Sequence, residues 1–356
     1  MSLSLKPLAI GSLPHKSAKD ALDYVFELFK NTPFWPQLGN VDKKEDMIVQ
    51  YTQNIPGIVY DKKCDKYFFE ADSDKFFEDV ETFYSDYELI TSGEDVSLLD
   101  KYAITPPYSA AFGEFITRID KTKPEFIKGH VTGPFTFGVA ICDRDGRCGF
   151  FDDTLRDIAT KGLILKALWQ IKEFKKHSPN SKIIIFVDEP AVCQYGTSAF
   201  VTVQKSQITE TFEQVISAIQ AEGALAGIHC CGKADWEMMI DVGFNILNLD
   251  AYLYAQNLAL YPKKVDNFLR KGGYIAWGVV PTLDKDALEK MDIEKAVEIF
   301  KNAVAVLTSK GIDENLIIKQ SVVSPSCGAG GLDIALAKKA MKLTVELSEE
   351  LNKKYL

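Results

Sequence analysis

The sequence is short of several things, and each shortage excludes a class of protein. No apolar run approaches the ~20 residues needed to span a bilayer, so no membrane helix is expected. The opening "MSLSLKPLAIGS" has neither a long hydrophobic segment nor a cleavage-site pattern, so no secretion signal is visible. Basic residues are in deficit, 41 against 50 acidic, for a formal net charge of −9. That balance argues against nucleic acid, whose binding needs clustered cations. Histidine is scarce, with four in 356 residues. The seven cysteines are odd in number and lack the spacing of a disulfide framework. A reducing, cytoplasmic setting is therefore expected, and any cysteine cluster reads as metal-binding or catalytic.

What is present is ample for a large core, since 46% of the residues are apolar. Seven short apolar runs end in small or polar residues and lead into helical patterns. They are "PLAIGS" (7–12), "FIKGHVTGP" (126–134), "KIIIFVDEP" (182–190), "ALAGIHCCG" (224–232), "NILNLDAY" (245–252), "GYIAWGVVP" (273–281) and "NLIIKQSVVSPSCG" (315–328). Near-continuous apolar strands separated by helices indicate a parallel sheet covered on both faces. "SQITETFEQVISAIQAEG" (206–223) reads as a helix ended by Gly223. "DIALAKKAMKLTVELSEELNKKYL" (333–356) reads as a long amphipathic helix with lysines suited to its C-terminal dipole. Residues 35–125 are less regular: "PGIVYDKKCDKYFFEAD" reads as a hairpin and "ITPPYSAAFGEF" as a loop, with an eighth strand expected in this region. The expectation is one domain over 1–356, an α/β TIM (β/α)8 barrel with a long early insertion at about 35–125. A doubly wound open sheet is the alternative.

In such a barrel the active site lies at the C-terminal ends of the strands. Reactive residues collect there: Ser12, Asp188 with Glu189, His229 to Cys231, Asp250 and Cys327. His229 and Cys231 stand at i and i+2, so on an extended strand end they face one way and Cys230 faces packing. Imidazole with thiolate suits Zn²⁺. Cys327 is the natural third ligand and Asp250 a candidate fourth. The alternative is a buried turn rich in sulfur, with its histidine satisfied by a carbonyl. His130 reads as a core or site-lining residue, and His15 as a surface-loop histidine with an acid role as the alternative. His177 reads as structural at a helix end. Cys142 and Cys148 in "CDRDGRC" read as ordinary thiols, and Trp35 as either a lid or packing.

Taken together and in this order, "AIGSLPH", "GHVTGPFTF", "FVDEP", "HCC" and "VSPSCG" resemble the catalytic C-terminal half of cobalamin-independent methionine synthase, from about residue 8 onward. The chain also resembles the wider group that includes uroporphyrinogen decarboxylase and corrinoid-dependent thiol methyltransferases. The resemblance implies a zinc-containing barrel that methylates a thiol. His229, Cys231 and Cys327 match that family's histidine and two cysteine ligands, and Asp250 falls where it has a glutamate ligand. Ile10, Gly11 and Ser12 resemble the segment that holds an amino acid's carboxylate, and Asp188 the group that binds its amine. Gln50 stands where the family has a glutamate assisting at the amine, and "WGVVPT" lacks the family's acid histidine.

The family's N-terminal half, which helps bind the folate donor, has no counterpart in the sequence. The expected donor is therefore a methylcorrinoid, carried on a partner corrinoid protein, with methyltetrahydrofolate as the alternative. The expected thiol is homocysteine, giving methionine, with Asp188 and Asp250 as catalytic residues. Alternatives are transfer to a thiol of the coenzyme M kind, another activity in the decarboxylase-like group, and a non-enzymatic corrinoid- or zinc-binding barrel. The porphyrin reading lacks its arginine-rich signature in "IGSLPHKSAKDA".

Overall fold

The computed structural model describes residues 2–355. In it the apolar runs become strands where both faces find cover. The strands are β1 (Ile58–Asp61), β2 (Lys66–Phe69), β3 (Phe126–Thr132), β4 (Lys182–Asp188), β5 (Leu225–Cys230), β6 (Ile246–Leu249), β7 (Tyr274–Val280) and β8 (Ser321–Pro325). β1 and β2 pair antiparallel as a separate hairpin, while β3 to β8 form one parallel sheet in sequence order. Helices in the crossovers cover its outer face. Lys205–Ala221 packs on β5, and Asp153–His177 on β3 and β4. No helix among the described residues is long and apolar enough to cross a membrane.

The eight-stranded barrel expected from the sequence is not what forms. The parallel sheet has six strands and makes a half-barrel. Residues 7–12 give no strand, only single bridges from Pro7 to Val323 and from Ser12 to Gln37, and Phe34 bridges Lys128. Prolines account for the interruption. Pro7, Pro14, Pro33 and Pro36 have no N–H, so backbone bonding there is confined to short runs, such as Leu8 N–H to the Val323 carbonyl and Trp35 N–H to the Lys128 carbonyl.

The insertion likewise supplies no eighth strand, but it does form the expected hairpin. It adds the helices Asp74–Ser92 and Phe112–Thr122, the latter taking up the end of the segment read as loop. The "NLIIK" part of the last run is a helix, Glu314–Lys319, because the Asp313 carboxylate caps it by accepting from the Leu316 N–H at 2.8 Å.

Alternation puts Phe126, Lys128, His130 and Thr132 of β3 on one face of the sheet. Low on that face lies a small apolar cluster that includes Leu8, Phe126, Ile184, Phe186, Ile246 and Val322. Gly227 belongs to this layer because a Cβ there would stand 2.4 Å from the Phe186 ring. Towards the C-terminal strand ends the same face turns polar. Thr132, Asp188, His229 and Asn248 lie side by side in register across four strands.

Candidate metal centre

The polar row and the loop after β8 bring three ligand side chains together. The ligand atoms of His229, Cys231 and Cys327 all lie within 4.8 Å of one another, a group that could hold a metal ion. Each is placed by a different device. His229 is fixed by the ladder between β4, β5 and β6. Cys231 follows one residue past β5, while Cys230 turns away into the core. Cys327 is held by its backbone: its N–H donates to Thr282 Oγ1 at 2.9 Å, and its carbonyl accepts from the same hydroxyl at 3.0 Å.

The tautomer of His229 follows from its neighbours. Asn248 Nδ2 donates to the Ala276 carbonyl at 2.8 Å and to Ser324 Oγ at 2.7 Å. A carbonyl can only accept, so the Asn248 amide is oriented with Oδ1 towards His229. His229 Nδ1 lies 2.5 Å from that oxygen and must carry the proton. The lone pair then sits on Nε2, which is buried and has no hydrogen-bond partner. This matches the second sphere of a metal-bound histidine, where one ring nitrogen donates to an acceptor and the other is presented to the ion. The orphaned Nε2 and the two sulfurs therefore fit a borderline-soft dication such as zinc.

The charges agree. The hydrogen bond from the Cys327 thiol holds Cys231 down to about 4, with His229 assisting against burial. The same bond and burial push Cys327 far up. A coordinated dication is the ordinary means of releasing such thiol protons. Burial alone would lower His229, but the Cys231 sulfur and Asp188 together outweigh it and raise it.

The other expected site residues fall in several places. Asp250 lies outside the three-residue group; its Oδ1 caps the helix Ala251–Tyr254 by accepting from Leu253 N–H at 3.0 Å, and burial pushes its carboxyl up to about 6. Asp188 has a buried Oδ1 without a partner, and burial raises its carboxyl against the pull of Lys128 and His229. Glu189 is structural: it accepts from the Phe135 and Thr136 N–H groups at 2.9 and 3.0 Å and so caps the helix Pro134–Ala140. Ser12 lies against the loop that carries Cys327, its Oγ accepting from Gly330 N–H at 3.2 Å. The Ile10 carbonyl accepts from Lys128 Nζ. Gln50 is buried, and its amide is committed at both ends, to Gln37 Nε2 at 2.8 Å and the Tyr108 carbonyl at 2.9 Å.

Three residues, His15, Cys142 and Cys148, depart from their sequence readings, and Trp35 takes one of its two. His15 is buried, with neither ring nitrogen hydrogen-bonded, rather than on a surface loop. Cys142 and Cys148 are not free thiols: the turn between them brings them together as a disulfide. Trp35 is buried against Phe112 and His130, so it packs rather than forming a lid.

Sequence reasoning missed Asn248, Thr282 and Ser324, which orient the ligands. One signal was available for Asn248, which stands two residues before Asp250 on the same strand face.

A cleft of about 270 Å³ opens beside the Cys327 loop, lined by Ser12, Gln37, Glu45, Met47 and Gly330 among others. Larger clefts of about 580 and 760 Å³ lie on the insertion and include none of the three ligands.

No protein-family model matches the chain, and no curated protein matches it. Among solved structures, the chain is similar to a Cellulomonas fimi endo-beta-1,4-mannanase double mutant, with 13% identity over 72% of this chain and 61% of that chain, at a TM-score of 0.37. The match spans less than two thirds of the mannanase, and a likeness this weak bears on neither mechanism nor substrate.

Proposed function

We propose that the protein is a zinc-dependent methyltransferase acting on a small thiol, with homocysteine the leading substrate and methionine its product. The observation that carries this reading is the bare His229 Nε2 beside two cysteine sulfurs, with its Nδ1 already tied to Asn248. Three protein ligands leave a position for substrate, whereas a purely structural zinc site is closed by four. When bound there, zinc would supply the acidity that turns a substrate thiol, ordinarily of pKa ~8.5, into a thiolate at neutral pH.

The chain's own groups do the rest. Asp188, with its unpartnered buried Oδ1, is suited to receive the substrate's ammonium group. Ser12, against the Cys327 loop, would stand by its carboxylate. Asp250, buried and raised to about 6, is the group that would approach or leave the centre as substrate sulfur binds. The substrate sulfur attacks the methyl carbon of the donor, the donor keeps the electron pair of the broken bond, and the thiol proton passes to solvent. In-line placement of sulfur and methyl sets the rate. The proposed donor is a methylcorrinoid, delivered by a corrinoid protein.

Gln50 favours a second reading, transfer to a thiol of the coenzyme M kind. It is neutral, and both ends of its amide are already bonded, so it offers no charge to an amine. The test is methyl transfer from methylcobalamin to homocysteine by the zinc-loaded protein and by Cys327→Ala. Zinc and activity should be lost together, and full activity in the variant would overturn the mechanism.

A further inference from the structure

Two cysteines that are not among the three ligands meet directly behind the metal centre. Cys193 lies on the short helical turn Pro190–Gln194 that follows β4. Cys230 is the last residue of β5, turned into the core while its neighbour Cys231 faces the centre. The Cys230 thiol donates to the Cys193 sulfur, and Cys193 in turn donates to the Pro190 carbonyl at 3.0 Å. Gly232 permits the approach: a Cβ there would stand 2.7 Å from Cys193 Cβ and 3.0 Å from its Sγ. Cys193 is partly exposed and Cys230 fully buried. An accessible thiol beside a second thiol that can resolve it is the arrangement of a redox-sensitive cysteine.

The turn that carries Cys193 is pinned at its start. Glu189 N–H donates to the His229 carbonyl at 2.9 Å, and Ala191 N–H to Thr136 Oγ1 at 3.0 Å. Drawing the two sulfurs from hydrogen-bond contact to the ~2.05 Å of a disulfide therefore moves the end of β5 as well as the turn. Cys231 follows Cys230 directly, and a metal site tolerates changes of only about 0.2 Å in its ligand distances.

We propose that Cys193 and Cys230 form a reversible disulfide that loosens the metal centre, so that a peroxide switches the site off. The Cys193 sulfur attacks one peroxide oxygen, the O–O bond breaks, and the other oxygen leaves with the electron pair and the thiol proton as an alcohol or water. The Cys230 sulfur then attacks the sulfenic acid so formed, the S–S bond closes, and water leaves. Two thiols are oxidised and one peroxide is reduced; a dithiol reductant reverses the change. The switch rests on the zinc reading above and is independent of which thiol is methylated.

The test treats zinc-loaded protein with hydrogen peroxide and reads two things: peptide masses after thiol alkylation, and zinc affinity by competition with a chromophoric chelator. Wild type should gain a Cys193–Cys230 cross-link, and its zinc affinity should fall about 10- to 100-fold. Dithiothreitol should reverse both. Cys193→Ser should form no cross-link and keep its affinity at the same dose. Cys230→Ala should stop at the sulfenic acid of Cys193, trapped with dimedone. Wild type without the cross-link overturns the proposal. So does a cross-link that leaves zinc affinity unchanged, or a Cys193→Ser variant that loses zinc as wild type does. Protein that binds no zinc before oxidation overturns the metal reading, and the switch with it, whatever the masses show.

Discussion

The C-terminal rim of β5, β6 and β8 and the early region that faces it are built by different means. On the rim, positions follow from ladder register: His229 beside Asn248, Asn248 beside Ala276, with Ser324 completing the set. In the early region, prolines limit the ladder to short runs of backbone bonds, such as Leu8 N–H to the Val323 carbonyl and Gln37 N–H to the Gly11 carbonyl, and single side-chain bonds add to them. Lys128 Nζ holds the Ile10 carbonyl, Thr132 Oγ1 the Met47 carbonyl, and Tyr51 Oη the His130 carbonyl. The proposed metal side is thus placed by strand register, and the proposed substrate side by short runs of backbone bonds with individual side-chain bonds.

If that division is right, changes on the rim should affect metal, and changes in the early region should affect substrate. The largest effect after loss of a ligand is expected for Asn248→Leu, which removes the acceptor fixing the His229 tautomer. Metal affinity should fall by about 10- to 100-fold, read by competition with a chromophoric chelator. An affinity equal to wild type would break the link between register and metal. Thr282→Val sharpens the same point more gently. It removes both bonds to the Cys327 backbone and should cost about 1–3 kcal/mol of stability in denaturant unfolding, with metal retention reduced but not abolished. Tyr51→Phe probes the other side. Loss of one bond to the His130 carbonyl should cost about 1 kcal/mol and leave metal content at the wild-type level. Metal loss in this variant would show that the two regions are not independent.

A separate test, independent of the two sides, is a pH dependence. Burial pushes the Glu189 carboxyl up to about 8 from an unfolded value near 4.5. The folded state therefore holds its proton more tightly, and this group's contribution to stability falls as pH rises from about 4.5 to 8, by at most ~1.4 kcal/mol per unit. Glu189→Gln lacks that slope. The melting temperature of wild type relative to the variant should decline between pH 5 and 8; a constant difference would show that the carboxyl titrates normally.

The same contrast explains what the sequence made legible. Six of the seven apolar runs contain strands because uninterrupted β-branched stretches between helices have one stable use, and His229, Cys231 and Cys327 could be read from their places at or just past the ends of those runs. Asn248 was hidden because a polar residue in a four-residue strand resembles the start of a turn. Closure into a barrel was over-read: "PLAIGS" has the composition of a strand, but Pro7 and Pro14 confine its backbone bonds to short runs. The buried Lys128 was not foreseeable either. Its ammonium is satisfied by a carbonyl distant in sequence and by the Phe186 ring at 4.3 Å, neither of which a local pattern encodes.

The proposal that His229, Cys231 and Cys327 hold one zinc ion is tested most directly by the metal content of purified wild-type protein and of Cys231→Ala, measured by mass spectrometry under conditions that do not strip metal. The account predicts about one zinc per chain in wild type and almost none in the variant. Wild type without zinc, or a variant that keeps as much as wild type, would contradict it.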